Sequence, residues 1–134
     1  MTETSEQTPS KRKVIVADDE ERIATTLAII LNQAGFEARA VFSGEQVVEL
    51  LDSFQPEMLI ADVVMPGITG IEVAIAVRSR LLPDYKILLF SGQAATADLL
   101  ERAKMHGHQF EIVAKPIHPT DLLAKFAVSN TNYS

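Results

Sequence analysis

The chain contains no cysteine. Disulfides, thiolate nucleophiles and cysteine-based metal sites are therefore excluded. It also lacks any apolar run near the roughly 18 residues needed to cross a bilayer. Residues 1–10, MTETSEQTPS, are polar and have no apolar stretch of the signal-peptide kind. Basic residues are sparse: Lys11-Arg12-Lys13 is the only basic cluster, and the net charge is −6. This is the opposite of the clustered Lys and Arg that nucleic-acid binding requires, and the cluster reads as a solvated entry to the first strand. Neither GxGxxG nor GxxxxGK[ST] occurs, which argues against dinucleotide and P-loop sites. His106, His108 and His118 lack ligand spacing with a Cys or Glu partner and read as surface or local structural residues. These absences describe a soluble, cytoplasmic protein that uses neither nucleic acid nor membrane.

The 134 residues suit one domain, and a 47% hydrophobic content is enough to build a core. Residues 1–11 read as a disordered tail and 129–134 as a polar end, leaving 12–128 as the folded unit. Within it, short apolar runs alternate with stretches of helical periodicity. VIVA at 14–17, FEARAVF at 36–42, MLIAD at 58–62, KILLFS at 86–91 and FEIVA at 110–114 predict strands. Helices are predicted over Glu20 to Ala34, Gly44 to Ser53, Thr69 or Gly70 to about Arg80, Ala95 to His106, and Pro119 to Val128. The first has Ile23, Leu27, Ile30, Leu31 and Ala34 on one face, and Gly35 stands where a helix would end. Five βα units imply a parallel sheet covered on both faces, and right-handed crossovers make it a doubly wound α/β sandwich. Ligands of such sheets bind beyond the carboxyl ends of the strands.

Those ends carry the chemistry. The first strand runs into Asp18-Asp19-Glu20, the third ends in Asp62, the fourth in Ser91-Gly92, and the fifth is followed by Lys115-Pro116. Each group would also suit a plainer role: an N-cap and acidic first turn for the acids, a loop carboxylate for Asp62, a helix cap for Ser91, a solvated lysine for Lys115. Together they propose a site of three carboxylates, one hydroxyl and one ammonium. Neighbouring carboxylates repel one another, and a hard divalent cation such as Mg²⁺ relieves the conflict. Charge neutralisation and positioning are what phosphoryl transfer chiefly needs, and a carboxylate can be the nucleophile. Asp62 has acids on one side and Lys115 on the other, so it is the candidate. Gly67, Gly70 and Gly92 are expected to permit tight turns.

The ordered motifs VIVADDEE, LIADVVMPGITG, LLFSG and AKP, each closing a different strand, resemble the receiver domain of two-component response regulators over about residues 12–128. The resemblance implies a flavodoxin-like fold of five parallel strands, order 2-1-3-4-5, flanked by five helices. It implies that Asp62 is the phosphoacceptor, that Asp19 ligates Mg²⁺ directly and Asp18 through water, and that the Val64 carbonyl is the third protein ligand. Ser91 and Lys115 correspond to the residues that bind the phosphoryl oxygens, and Pro116 to a proline that follows a cis bond. A histidine kinase or phosphotransfer protein is the implied donor. The implied output surface is the fourth helix, fifth strand and fifth helix, where Asp98, Glu101, Arg102 and Lys104 present mixed charge. A stand-alone monomer or weak dimer is expected. It would assist its own phosphoryl transfer and dephosphorylation rather than act as an enzyme on other substrates. Val64 and Gln93 flank the site and are expected to influence the lifetime of the phosphoryl group.

One position departs from the family pattern. Receivers commonly carry Tyr or Phe three residues before the Lys, and this chain has Ile112. Phe110 lies two residues earlier on the same strand face. Transmission of the phosphorylated state is then expected to fall to Phe110 or to a shift of residues 91–97. The alternatives are a degenerate receiver that binds partners regardless of phosphorylation and an Asp-based phosphatase. Such phosphatases place a second Asp two residues after the nucleophile, where this chain has Val64.

Overall fold

The strand ends meet at one edge because the five apolar runs form one parallel sheet. A computed structural model of the protein describes residues 12–80, 86–92, 101, 104, 111–114, 118 and 120–124. The strands are β1 (Lys13–Ala17), β2 (Glu37–Val41), β3 (Met58–Asp62), β4 (Lys86–Ser91) and β5 (Glu111–Ala114). Their order is β2-β1-β3-β4-β5 and every pairing is parallel. Helices α1 (Glu21–Gln33), α2 (Gly44–Leu50) and α3 (Gly70–Arg80) follow the first three strands. Glu101, Lys104 and residues 120–124 are helical too, within the fourth and fifth expected helices. The expected tails, the turn at Pro83-Asp84 and the remainder of those two helices lie outside the described residues.

Alternation along the strands divides the core in two. Ile15, Ala17, Leu59, Ala61, Ile87 and Leu89 face α2 and α3, where they meet Val47, Leu51, Ile71, Val73, Ala74 and Val77. Val14, Val16, Met58, Ile60, Leu88 and Phe90 face the other way, toward Ala24, Leu27, Ala28 and Leu31 of α1 and toward Leu122. The five β3 residues are all buried, which is the behaviour of a central strand covered on both faces. Each such aliphatic side chain contributes roughly 1.5–3 kcal/mol on burial. Ala34 departs from the expected α1 face. It is the C-cap and is exposed, because the chain leaves the helix there and Gly35 turns it at φ 102°.

The edge strand β2 is held by a side-chain clasp. Asn32 Nδ2 donates to the Ala38 carbonyl at 3.1 Å, and the Ala38 N–H donates to Asn32 Oδ1 at 2.9 Å. Glu37 donates to Arg12, and Val41 accepts from Asp18, so the odd-numbered residues of β2 face β1. Ala38 therefore faces outward, and the Asn32 amide stands in for a neighbouring strand. Exposed strand edges promote pairing between chains, and this clasp covers part of one.

Candidate functional site

The acids are placed by the sheet register. Ala17 of β1 is opposite Ala61 of β3, so Asp18 and Asp62 emerge side by side. The β1–β2 ladder extends one residue past Ala17, the Asp18 N–H donating to the Val41 carbonyl at 3.2 Å. Asp18 is 1% exposed and Asp62 7%, while Asp19 is exposed. One carboxylate oxygen from each lies within 4.8 Å of the others. At that separation, two ionised buried carboxylates repel by about 3–4 kcal/mol at an effective dielectric of about 20. Three hard oxygen donors gathered so closely, two of them buried and one open to solvent, fit a divalent cation that keeps part of its water.

Of the three acids that follow β1, Glu20 takes the capping position, as N-cap of α1, and its side chain makes no capping hydrogen bond. Asp18 Oδ1 accepts from the Glu20 N–H at 2.9 Å, which fastens the turn ahead of the helix. That bond orients the Asp18 carboxylate.

The β3–α3 connection is fixed at both ends. The Val63 N–H donates to the Phe90 carbonyl at 2.9 Å, and the Gly70 N–H donates to the Val63 carbonyl at 2.9 Å. Thr69 Oγ1 accepts from the Glu72 N–H at 3.1 Å, and Glu72 Oε1 accepts from the Thr69 N–H at 2.9 Å. This is a reciprocal capping box at the start of α3. Ser43 caps α2 by accepting the Gln46 N–H at Oγ, and Gln46 Oε1 reaches back one residue further, to the Phe42 N–H rather than to that of Ser43. Between these anchors Met65 is buried, and Val64 is 46% exposed, beside the acids. Gly67 turns at φ 79° against the Glu45 carboxylate, as its expected turn role requires. Gly70 does not: it is the first residue of α3 and has no positive φ.

On the other side of Asp62, the register pairs Asp62 with Phe90 and Ser91 with Ala114. Ser91 is the last residue of β4, one position past the partner of Asp62. The Ser91 side chain, Lys115, Pro116 and Phe110 lie outside the described residues, as does Gln93. Ile112 is half-buried, opposite Leu89, and packs against the α2–α3 side of the core. His118 has a local structural role: its Nδ1 accepts from the Thr120 N–H at 3.1 Å, and its carbonyl accepts from Asp121 and Leu122. Sequence reasoning missed the Thr69–Glu72 capping box and the Ser43 cap, although T-x-x-E and S-x-x-Q are legible signals.

Residues 14–127 match the response regulator receiver domain model. The chain belongs to this family. Among solved structures, it is similar to the chemotaxis protein CheY4 of Vibrio cholerae, at 26% identity over 88% of this chain and 98% of that one, with a TM-score of 0.75. A CheY-like receiver domain protein of Methanospirillum hungatei JF-1 shares 20% identity over 90% of this chain and 94% of its own, with a TM-score of 0.78. The signal receiver domain of an HD domain-containing protein of Pseudomonas fluorescens Pf-5 shares 18% over 93% and 100%, at 0.77. At these lower identities the likeness concerns the fold, and the receiver sheet order is the one found here. Among the described residues of this receiver domain, no helix is long and apolar enough to cross a membrane.

Proposed function

We propose that this receiver domain is a phosphorylation-dependent interaction switch whose phosphoacceptor is Asp62. The observation that carries this reading is the buried Asp62 carboxylate at the end of β3, with Asp18 and Asp19 oxygens within 4.8 Å. Asp18, Asp19 and Asp62, with the main-chain carbonyl of Val64, would hold Mg²⁺. A bound Mg²⁺ supplies charge neutralisation for the crowded carboxylates and the incoming phosphoryl oxygens.

The donor is a phosphohistidine of a histidine kinase or phosphotransfer protein. An Asp62 carboxylate oxygen attacks phosphorus, the P–N bond breaks, and the imidazole leaves with the electron pair and takes a proton. Asp62 then carries an acyl phosphate, and hydrolysis later returns the carboxylate and inorganic phosphate. Its position as the last residue of β3 keeps the carboxylate nearly buried, with the fixed 63–70 connection holding it toward the acids that follow β1. The receiver resemblance gives Ser91 and Lys115 the role of binding the phosphoryl oxygens. The domain thus serves as a phosphoacceptor, without turnover of a separate substrate. Output runs through the surface of the fourth helix, β5 and the fifth helix, where Glu101 and Lys104 are exposed.

Incubation with acetyl phosphate and Mg²⁺, followed by intact mass measurement, tests the reading. A single phosphoryl adduct is expected on the wild type and none on Asp62→Ala. An unmodified wild type, or the same adduct on Asp62→Ala, sinks it. Ile112 in the usual aromatic position favours one second reading, a binding module indifferent to phosphorylation, and the unmodified outcome would support that module.

A further inference from the structure

We propose that Gly70 is a positioning residue for Asp62, holding the phosphoacceptor main chain in place through the absence of a side chain. This rests on the reading of Asp62 given above and deepens it. Gly70 opens α3 and is buried, and Gly35 and Gly67 are the glycines with positive φ among the described residues. Backbone freedom therefore does not explain a glycine here, and glycine is among the poorest helix formers. Close approach does. A Cβ on Gly70 would collide with the Asp62 carbonyl oxygen and lie 2.9 Å from the Asp62 carbonyl carbon and 3.0 Å from Val63 Cα.

All three atoms belong to the main chain, so no flexible side chain can swing aside. Each is also bound into the site. Asp62 is paired with Phe90 in the sheet, the Val63 N–H donates to Phe90, and the Val63 carbonyl accepts from Gly70 itself. The first turn of α3 thus presses directly on the peptide that carries Asp62, and the Thr69–Glu72 capping box fixes that turn. A methyl group at position 70 must push the Asp62–Val63 peptide and the helix apart. The Asp62 carboxylate then moves relative to Asp18 and Asp19, whose oxygens now lie within 4.8 Å. A misplacement near 1 Å can cost about 100-fold in a positioned reaction.

Gly44 differs in kind. A Cβ there would meet Val73 Cγ2 at 2.7 Å and the Ile68 carbonyl at 2.9 Å, contacts that join α2 to α3 and to the connection before it without touching Asp62. The same residue type serves helix packing at one site and the phosphoacceptor peptide at the other.

The test compares the full chain as wild type, Gly70→Ala and Val77→Ala, the last a core truncation in α3 away from Asp62. All three are measured in enough sucrose to keep them folded by circular dichroism. Mg²⁺ affinity is read by calorimetry, the acetyl phosphate rate at saturating Mg²⁺ by intact mass, and the Asp62 main-chain position by crystallography. Gly70→Ala is expected to bind Mg²⁺ about tenfold more weakly and to phosphorylate about 10- to 100-fold more slowly. Val77→Ala should stay within about twofold of wild type in both. The proposal is overturned if Gly70→Ala behaves as Val77→Ala does, if its Asp62 main chain has not moved, or if it alone fails to fold in sucrose. A wild type that takes no phosphoryl group would defeat the function proposed above, while the Asp62 position would still decide the role of Gly70.

Discussion

Replacing Asp18 by Asn should abolish most of the stabilisation that Mg²⁺ is expected to give the domain. The substitution is close to isosteric, and its Oδ1 can still accept the Glu20 N–H that fastens the turn before α1. What it removes is one buried charge from a group of three carboxylates with oxygens within 4.8 Å. Repulsion between Asp18 and Asp62 is on the order of 3–4 kcal/mol if both are ionised, and a bound cation would relieve it. A ligand that binds only the folded state, at 100 times its dissociation constant, stabilises by about 2.7 kcal/mol. For a domain of this size, 1 kcal/mol moves the melting temperature by roughly 3–5 °C, so wild type should gain about 10 °C. Asp18→Asn would lose the charge and the proposed water-mediated contact to the cation, and its gain should fall to about 3 °C or less.

The assay is thermal unfolding followed by circular dichroism across a Mg²⁺ series, with KCl at matched ionic strength to remove general screening. Equal Mg²⁺-dependent gains in the two proteins would refute the reasoning, since the cation would then be acting elsewhere. A wild type with no gain beyond the KCl control would refute it as well.

Two further perturbations address the framework that holds the site. Thr69→Ala should cost about 1 kcal/mol in urea unfolding, and Thr69→Ala combined with Glu72→Ala should cost less than the sum of the single changes, because the two side chains form one reciprocal cap. Additive losses in the double-mutant cycle would show the box to be inert. Asn32→Leu removes both hydrogen bonds to Ala38, and a loss of about 1–2 kcal/mol is expected. It should also speed amide exchange at Ala38 selectively, and an unchanged exchange rate there would mean that the clasp does not protect the edge.

The strands and the acids were legible for the same physical reason. A buried parallel strand is a short, uninterrupted apolar run, so its end shows as the first charged or polar residue. MLIAD at 58–62 and KILLFS at 86–91 end in the structure where the residues change character. Once the strands are parallel, their ends share one edge, and Asp18, Asp62 and Ser91 need no further information to be placed together. Helix ends were less distinct. The 44–53 stretch forms helix only through Leu50 and then turns, although its apolar spacing continues through Leu51, because periodicity marks a buried face rather than a hydrogen-bonding pattern. Ala34 was misplaced on the α1 face for the same reason: it has the right spacing, and the helix stops before it.

Gly70 shows where reading a sequence fails in principle. Gly67 and Gly70 are three residues apart in one loop motif and look alike as turn residues. Gly67 does have the left-handed backbone that a turn signal implies. Gly70 has ordinary helical backbone and is required by a contact with Asp62, eight positions earlier and at the end of another element. Local propensity acts along the chain and leaves a trace in neighbouring residues. Close approach acts across space, so its only trace in the sequence is the missing side chain. The residue placed where the Asp62 main chain leaves no room for a side chain is therefore one with no chemistry of its own, and the charged groups that mark the candidate site could not have pointed to it.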